Sequence, residues 1–141
     1  MGVIAARRFS REETVVRMVW ICLGGAFGTG ARYLLSGWAL ERFGPAFPVG
    51  TLAVNLIGSF LLAGLMYAGV EAGLLPPTLR LALTTGVMGG FTTYSTFSYE
   101  TMRYLQHGVW RLAFLNVAVT LLGCLAACLL GWGCVRWLVS P

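Results

Sequence analysis

The sequence has very little charge and lacks two charged residue types altogether. Its 141 residues include no lysine and no aspartate, and charged residues make up 11% of the chain. Soluble domains carry about 25% charged residues, so this chain cannot cover a folded core with a water-facing surface. Hydrophobic residues reach 57%, and the mean hydropathy is +0.77. This composition excludes an ordinary soluble domain and predicts an integral membrane protein.

The groups that enzymes use for catalysis are also scarce. There is one histidine, His107, and the sequence shows no nucleophile–base pair and no nucleotide-binding motif. The four cysteines, Cys22, Cys124, Cys128 and Cys134, all lie in apolar segments. Cys124 and Cys128 are one helical turn apart, but no histidine or carboxylate is close to them in sequence. We therefore interpret the cysteines as buried apolar residues and predict that the chain is not an enzyme.

Four apolar runs are each long enough to cross a bilayer, which takes about 20 residues. They cover residues 18–40, 47–70, 79–105 and 112–139, and the second contains no charge. Gly44-Pro45 and Pro76-Pro77 mark two of the loops as turns. We predict an all-α membrane protein with four transmembrane helices in residues 18–141. Residues 1–17 are predicted to be a polar, flexible tail and not a cleaved signal.

Arginines lie at both ends of these runs, which bears on the orientation of the chain in the membrane. When only the distal part of the tail is left out, each side of the predicted bundle carries three of them: Arg17, Arg80 and Arg136 against Arg42, Arg103 and Arg111. Positive residues in short flanks set the orientation, so this near balance permits insertion in both directions. Two oppositely inserted copies could then pair about a two-fold axis in the membrane plane.

Polar residues inside the first two runs need a partner or a water-filled space. Arg32 follows a run of small residues, and a structural role at a helix contact is favoured slightly over a direct role on an ion path. Thr51, Asn55, Gly58 and Ser59 share one helical face. The Asn55 amide would either form a hydrogen bond between helices or donate to a passing anion, and the sequence favours neither.

The third run holds the strongest signal, because its sequence is poorly suited to a continuous helix. Gly89-Gly90 is followed by a dense threonine and serine segment that ends at Glu100. This pattern predicts a helix that unwinds within the membrane. Unwound backbone is tolerated there when it is buried or lines water, and its freed carbonyls can bind a cation.

Aromatic and polar side chains follow the predicted break. Tyr94 and Phe97 would share one helical face, with two hydroxyl side chains beside them, Ser95 and Ser98. The positive edges of the rings, together with hydroxyls, can guide a small anion through weak contacts at several places. Packing between helices would explain an isolated pair of rings equally well. Asn116 and Thr120 form a polar stripe on the fourth run that is either a helix contact or part of a pore.

Three motifs together resemble one membrane family: Gly-Ala-Arg-Tyr at 30–33, Asn-Leu-Ile-Gly-Ser-Phe at 55–60 and Gly-Gly-Phe-Thr-Thr-Tyr-Ser-Thr-Phe-Ser at 89–98. The chain resembles the fluoride channel family, small bacterial membrane proteins also called camphor-resistance CrcB proteins, over nearly all of residues 20–138. The resemblance implies an antiparallel, dual-topology homodimer in the inner membrane with two fluoride pathways. It also implies passive export of fluoride from the cytoplasm, which reduces fluoride toxicity.

The resemblance further implies roles for particular residues. A structural Na⁺ at the centre of the dimer would be held by the backbone carbonyls of Gly89 and Thr92. The fluoride pathway would be lined by Asn55, Tyr94, Phe97, Thr51, Ser95, Ser98, Asn116 and Thr120. Arg32 matches a structural arginine of the first helix. Tyr94 stands where the family commonly has phenylalanine, and its extra hydroxyl is expected to affect the conduction rate.

Two other functions remain open on sequence grounds. A proton-coupled small-molecule exporter of the four-helix, dual-topology type needs a carboxylate inside the membrane, and Glu100 is the candidate for it. A membrane scaffold without transport activity would need only the small-residue contacts between helices. Replacement of Asn55 would leave the function of such a scaffold intact.

Overall fold

The computed structural model describes residues 10–139, and every regular element within this range is helical. The α-helices are α1 (Arg11–Phe43), α2 (Val49–Met66), α3 (Pro77–Leu81), α4 (Gly89–Phe91), α5 (Tyr94–Gln106) and α6 (Trp110–Val139). Two π-helical segments, Tyr67–Glu71 and Ala82–Met88, extend α2 and join α3 to α4. The all-α class predicted from the sequence is therefore confirmed.

Helix α1 begins well before the apolar run predicted to start at residue 18. Ser10 caps it through a reciprocal pair: its Oγ accepts from the Glu13 N–H at 3.2 Å, and the Glu13 carboxylate accepts from the Ser10 N–H at 3.1 Å. Such a capping box satisfies two backbone donors at a helix start. Residues 11–17 of the predicted tail are thus helical, and residues 1–9 lie outside the described residues. At 33 residues α1 is about 50 Å long, more than the hydrocarbon core of a bilayer.

Within residues 10–139, three elements are long and apolar enough to cross a membrane: α1, α2 with its π-helical extension to Glu71, and α6. The run predicted at 79–105 is divided among shorter elements, namely α3, the π-helical segment Ala82–Met88, α4 and α5. The longest of these, α5, has 13 residues, whereas a continuous span needs about 20. The division occurs where glycine and hydroxyl residues replace good helix formers.

Helix α2 packs most closely on α6, and small residues make this approach possible. A Cβ at Gly131 would overlap the backbone carbonyl of Phe60, and a Cβ at Gly64 would lie 2.9 Å from a methyl group of Val135. Gly131 is buried, as are Thr120 and Asn116 on the same helix, about three and four turns away. Close backbone contact through small residues is the usual way in which membrane helices associate.

Replacing Gly131 with alanine is expected to lower the apparent melting temperature of the protein in detergent. The new methyl group would meet the Phe60 carbonyl, and overpacking of this kind costs about 1–3 kcal/mol. Gly133→Ala is the matched control, because a Cβ there meets nothing within 4 Å in the part of the chain that the structure describes. Equal melting temperatures for the two variants would contradict the close α2–α6 contact.

Helix α1 packs against the π-helical segment Ala82–Met88 and α4, and glycines on both sides allow the close contact. A Cβ at Gly28 would overlap the Val87 carbonyl, and a Cβ at Gly90 would lie 2.5 Å from the Gly25 carbonyl. The glycine-rich stretch of α1 therefore packs directly on the backbone just before α4 ends. On the opposite side, Gly58 of α2 lies against Thr92 and Phe91, so the end of α4 lies between α1 and α2.

Candidate functional site

The backbone leaves the helical conformation between α4 and α5. Helix α4 ends at Phe91, and the next two residues are extended: Thr92 has φ −84° and ψ 158°, and Thr93 has φ −150° and ψ 110°. Thr93 then caps α5, since its Oγ1 accepts from the Thr96 N–H at 3.3 Å and donates to the Thr96 hydroxyl at 2.8 Å. A threonine that caps a helix in this way explains why α5 restarts at Tyr94.

The side chain of Asn55, on α2, pairs with the peptide groups of the extended residues. Its Oδ1 accepts from the Thr93 N–H at 2.8 Å, and its Nδ2 donates to the Thr93 carbonyl at 3.0 Å. Both residues are buried, with 8% and 7% of their surface exposed. The sequence left open whether Asn55 bonds to a helix or to an ion. The structure shows that the amide forms two hydrogen bonds to the backbone of Thr93. The second N–H of Nδ2 is not used in these two bonds.

Two carbonyl oxygens at this break have lost their helical donors. In a continuous α-helix the Gly89 carbonyl would accept from the Thr93 N–H and the Thr92 carbonyl from the Thr96 N–H. Here the first N–H donates to Asn55 and the second to the Thr93 side chain. No other backbone donor from residues 10–139 reaches either carbonyl. Free carbonyl oxygens of unwound helices suit Na⁺, so these residues fit the predicted cation ligands.

A cavity of about 270 Å³ lies on one side of the break. It is lined by Asn55, Ser59, Leu62, Thr92, Tyr94, Phe97, Thr120, Leu121 and Cys124. Among the predicted pathway residues, the structure brings together Asn55, Tyr94, Phe97 and Thr120. The rings of Tyr94 and Phe97 lie 5.7 Å apart at an angle of 51°. No charged side chain lines this cavity, so an anion there would be held weakly by hydroxyl, amide and ring-edge contacts.

A second cavity of about 600 Å³ lies on the other side of the break, against α1. Its polar lining includes Arg32, Thr51, Thr93, Thr96 and Glu100. The Thr51 hydroxyl donates to one Glu100 oxygen at 2.8 Å, and the other oxygen, Oε2, is buried without a hydrogen-bond partner among the described residues. Thr92 lines the first cavity and Thr93 the second, so the extended residues separate the two.

Three predicted pathway residues lie outside both cavities. Ser98 donates to the Tyr94 carbonyl at 2.9 Å, and the Ser95 hydroxyl lies 3.5 Å from that of Thr93. Asn116 is 1% exposed and donates to the Thr101 hydroxyl at 2.9 Å, which joins α6 to α5. In the single chain, Asn116 has the role of a helix contact, one of the two that the sequence left open.

Sequence reasoning missed some residues that line the cavities. Cys124 lines the first cavity, although its apolar surroundings suggested simple packing. Its position one turn after Thr120 places both on one face of α6, and this spacing was the available signal. Thr93 and Thr96 were noted only as part of a hydroxyl-rich segment, because their capping role depends on where α5 begins.

The described residues define a multi-pass membrane protein in which two extended residues, Thr92 and Thr93, lie between two cavities. Its long helices carry many large apolar side chains on the outside, among them Phe27, Leu129 and Leu130, each about 70% exposed. Residues 19–132 match the family described as CrcB-like protein, Camphor Resistance (CrcB). The chain belongs to this family, and the resemblance predicted from its motifs is confirmed.

Similar proteins with curated names support the same family. A fluoride-specific ion channel FluC of Anaeromyxobacter dehalogenans is 55% identical over 126 residues, which are 89% of this chain and 100% of the relative. A protein of the same name from Sorangium cellulosum is 54% identical over 124 residues, 88% of this chain and 98% of the relative. One from Geobacter sp. (strain M21) is 50% identical over 115 residues, 82% and 93% of the two chains.

Proposed function

We propose that the chain is a fluoride-selective ion channel that lets fluoride leave the cytoplasm passively and so reduces its toxicity. The observation that carries this proposal is the cavity in which Asn55, Tyr94, Phe97 and Thr120 meet beside the helix break. The relatives at 45–55% identity are named fluoride-specific ion channels, which supports the same function. Membership of the family supports it further.

The chemistry of this cavity suits fluoride better than chloride. Fluoride is the smaller ion and the stronger hydrogen-bond acceptor, so amide and hydroxyl donors can replace more of its hydration. Ring edges add weak positive charge. Conduction also requires that the ion leave again, and weak contacts at several places allow this. A cavity with arginines in its lining would instead hold an anion tightly.

The segment from α3 to α5 is proposed to form one discontinuous membrane crossing. Together with α1, α2 and α6 it would complete four crossings, with the third one broken at Thr92 and Thr93. The π-helical segment and α4 would supply the first half of this crossing and α5 the second half. Unwound backbone at membrane depth is tolerated where it is buried or lines a cavity, and both conditions apply at this break.

The functional unit is proposed to be an antiparallel, dual-topology homodimer with Na⁺ at its centre. The carbonyls of Gly89 and Thr92 would hold the ion, which would supply the positive charge that draws these backbone oxygens together. One chain offers too few oxygens for a complete shell, and a two-fold axis would double the number. Gly89 is exposed and Tyr94 is 80% exposed, which supports a partner at this surface.

The proposed function can be tested in a bacterium whose own fluoride exporters have been deleted. Expression of this chain is expected to restore growth in fluoride at concentrations that stop the parent strain, because trapped fluoride can then leave the cell. The control is growth in equal concentrations of sodium chloride, with membrane expression checked by immunoblot. Normal expression of a dimer in the membrane without any rescue would contradict the proposal.

A proton-coupled exporter is the second candidate, because Glu100 has a buried oxygen without a partner among the described residues. For the channel, Glu100→Gln is expected to reduce fluoride efflux by no more than about tenfold, since an amide oxygen still accepts from Thr51. Efflux should also continue without a pH gradient. An exporter would lose transport in this variant and would require the gradient, and either result would favour the second candidate.

A further inference from the structure

We infer that Asn55 is the positioning residue that keeps the break between α4 and α5 open and so makes the Gly89 carbonyl available to a cation. The inference rests on the proposed function, because the cation is the proposed Na⁺. It assigns to Asn55 a role besides that of lining the fluoride pathway. One side chain on α2 would then serve both the ion path and the cation site.

The geometry of the amide supports this role. An asparagine side chain carries its carbonyl acceptor and one N–H donor on the same edge of the amide, so it can bind both the N–H and the carbonyl of one extended residue. Asn55 uses both toward Thr93, 38 positions away in the sequence, with distances of 2.8 and 3.0 Å. It therefore replaces, for Thr93, the backbone partners that a continuous helix would supply. Thr93 is buried, so water is poorly placed to substitute for the amide.

The next turn of α2 makes room for the same extended backbone. A Cβ at Gly58 would overlap Cγ2 of Thr92, so the absence of a side chain at this position lets Thr92 approach α2. Asn55 and Gly58 lie three positions apart, on one face of the helix. The face thus binds one extended residue through an amide and accommodates the other through a glycine. Both features favour the open form over a continuous helix.

Removal of the amide would have a direct consequence for the cation ligands. The Thr93 N–H would lack its acceptor and could return to its helical partner, the Gly89 carbonyl. That oxygen would then be engaged in a hydrogen bond and would be a poorer ligand. The affinity for Na⁺ should fall, even though the amide is not itself a proposed ligand.

The test is a Na⁺ titration of thermal stability on the purified dimer, at constant ionic strength with choline as the replacement cation. The wild type should melt at higher temperature as Na⁺ rises. Asn55→Leu, which has similar size but no polar atom, should shift the Na⁺ concentration of half-maximal stabilisation upward by about tenfold or more. Asn116→Leu is the matched control, since it removes a buried amide that bonds to Thr101, and its midpoint should equal that of the wild type.

Asn55→Asp separates the two roles of the residue. Its carboxylate loses the bond to the Thr93 carbonyl but still accepts from the Thr93 N–H, the bond that keeps this donor away from the Gly89 carbonyl, so the Na⁺ midpoint should stay within about threefold of the wild type. Fluoride efflux from liposomes should fall at least about tenfold, because a negative charge in the path repels the anion. A purely structural role for Asn55 would instead make stability, Na⁺ response and efflux fall together.

Each result bears on a different part of the account. A wild type without any Na⁺ response would overturn the cation site and this inference with it, whereas fluoride efflux from the same preparation would still report on the channel. A normal Na⁺ response in Asn55→Leu would overturn the inference alone. If Asn55→Leu does not fold, loss of the Na⁺ response in Asn55→Asp would overturn it, because that variant retains the acceptor.

Discussion

Replacing Phe97 with isoleucine is expected to slow fluoride efflux from liposomes by up to about tenfold, while the dimer and its Na⁺ response persist. The reason is the pair of rings at 5.7 Å that Phe97 forms with Tyr94 at the first cavity. Isoleucine fills similar space but has no ring edge with positive charge. Loss of an aromatic contact worth about 0.5–1.5 kcal/mol slows a rate by about twofold at the lower end and about tenfold at the upper end.

The control for this prediction is Phe114→Ile, the same exchange on the outer surface of α6. Phe114 is 68% exposed and lines neither cavity, so its replacement should leave efflux close to the wild-type rate. Equal efflux from Phe97→Ile and Phe114→Ile would show that fluoride does not pass the rings. The ion path would then have to run through other residues.

Replacing Gly89 with alanine is expected to disrupt the dimer, although it should be harmless to the isolated subunit. A Cβ at Gly89 meets nothing within 4 Å among the described residues, so any loss must come from outside the subunit. In the proposed dimer, both copies of this backbone approach one central cation. The clash would then occur twice, and overpacking at about 1–3 kcal/mol for each copy weakens association by a factor of about 30 or more.

Subunit dissociation in detergent would measure this effect, with single-molecule photobleaching in liposomes as a second readout. Gly133→Ala provides the comparison, because its Cβ is equally unobstructed within the described chain and it lies far from the break in sequence. A Gly89→Ala dimer with wild-type stability and wild-type Na⁺ response would contradict a two-fold cation site at this position.

Composition and periodicity predicted much of the architecture, because lipid places simple demands on a chain. Apolar runs near 20 residues predicted the positions of α1, α2 and α6, which agree with the helices found long enough to cross a membrane. The glycines at 89 and 90 with the following hydroxyl residues predicted an interruption, and the extended residues Thr92 and Thr93 lie there. The ends of the helices were harder to predict from the sequence, because the Ser10 cap extends α1 beyond the start of the apolar run.

The partners of polar side chains depend on packing between distant segments, and the sequence could not supply them. The stripe containing Asn55 was evident, but its pairing with Thr93 depends on the register of α2 against residues 38 positions away. The spacing of Asn116 and Thr120 predicted one polar face, yet only Thr120 lines the first cavity while Asn116 bonds to Thr101. The π-helical segments likewise have no signal in the apolar pattern.

The most direct test of the account is fluoride efflux from liposomes that contain the purified protein, followed with a fluoride electrode, beside a matched chloride measurement. The proposed channel predicts rapid release of fluoride, with chloride retained under the same gradient and without ATP or a proton gradient. Retention of fluoride by liposomes that hold folded dimers in Na⁺ would contradict the account. Equally fast release of chloride would contradict its selectivity.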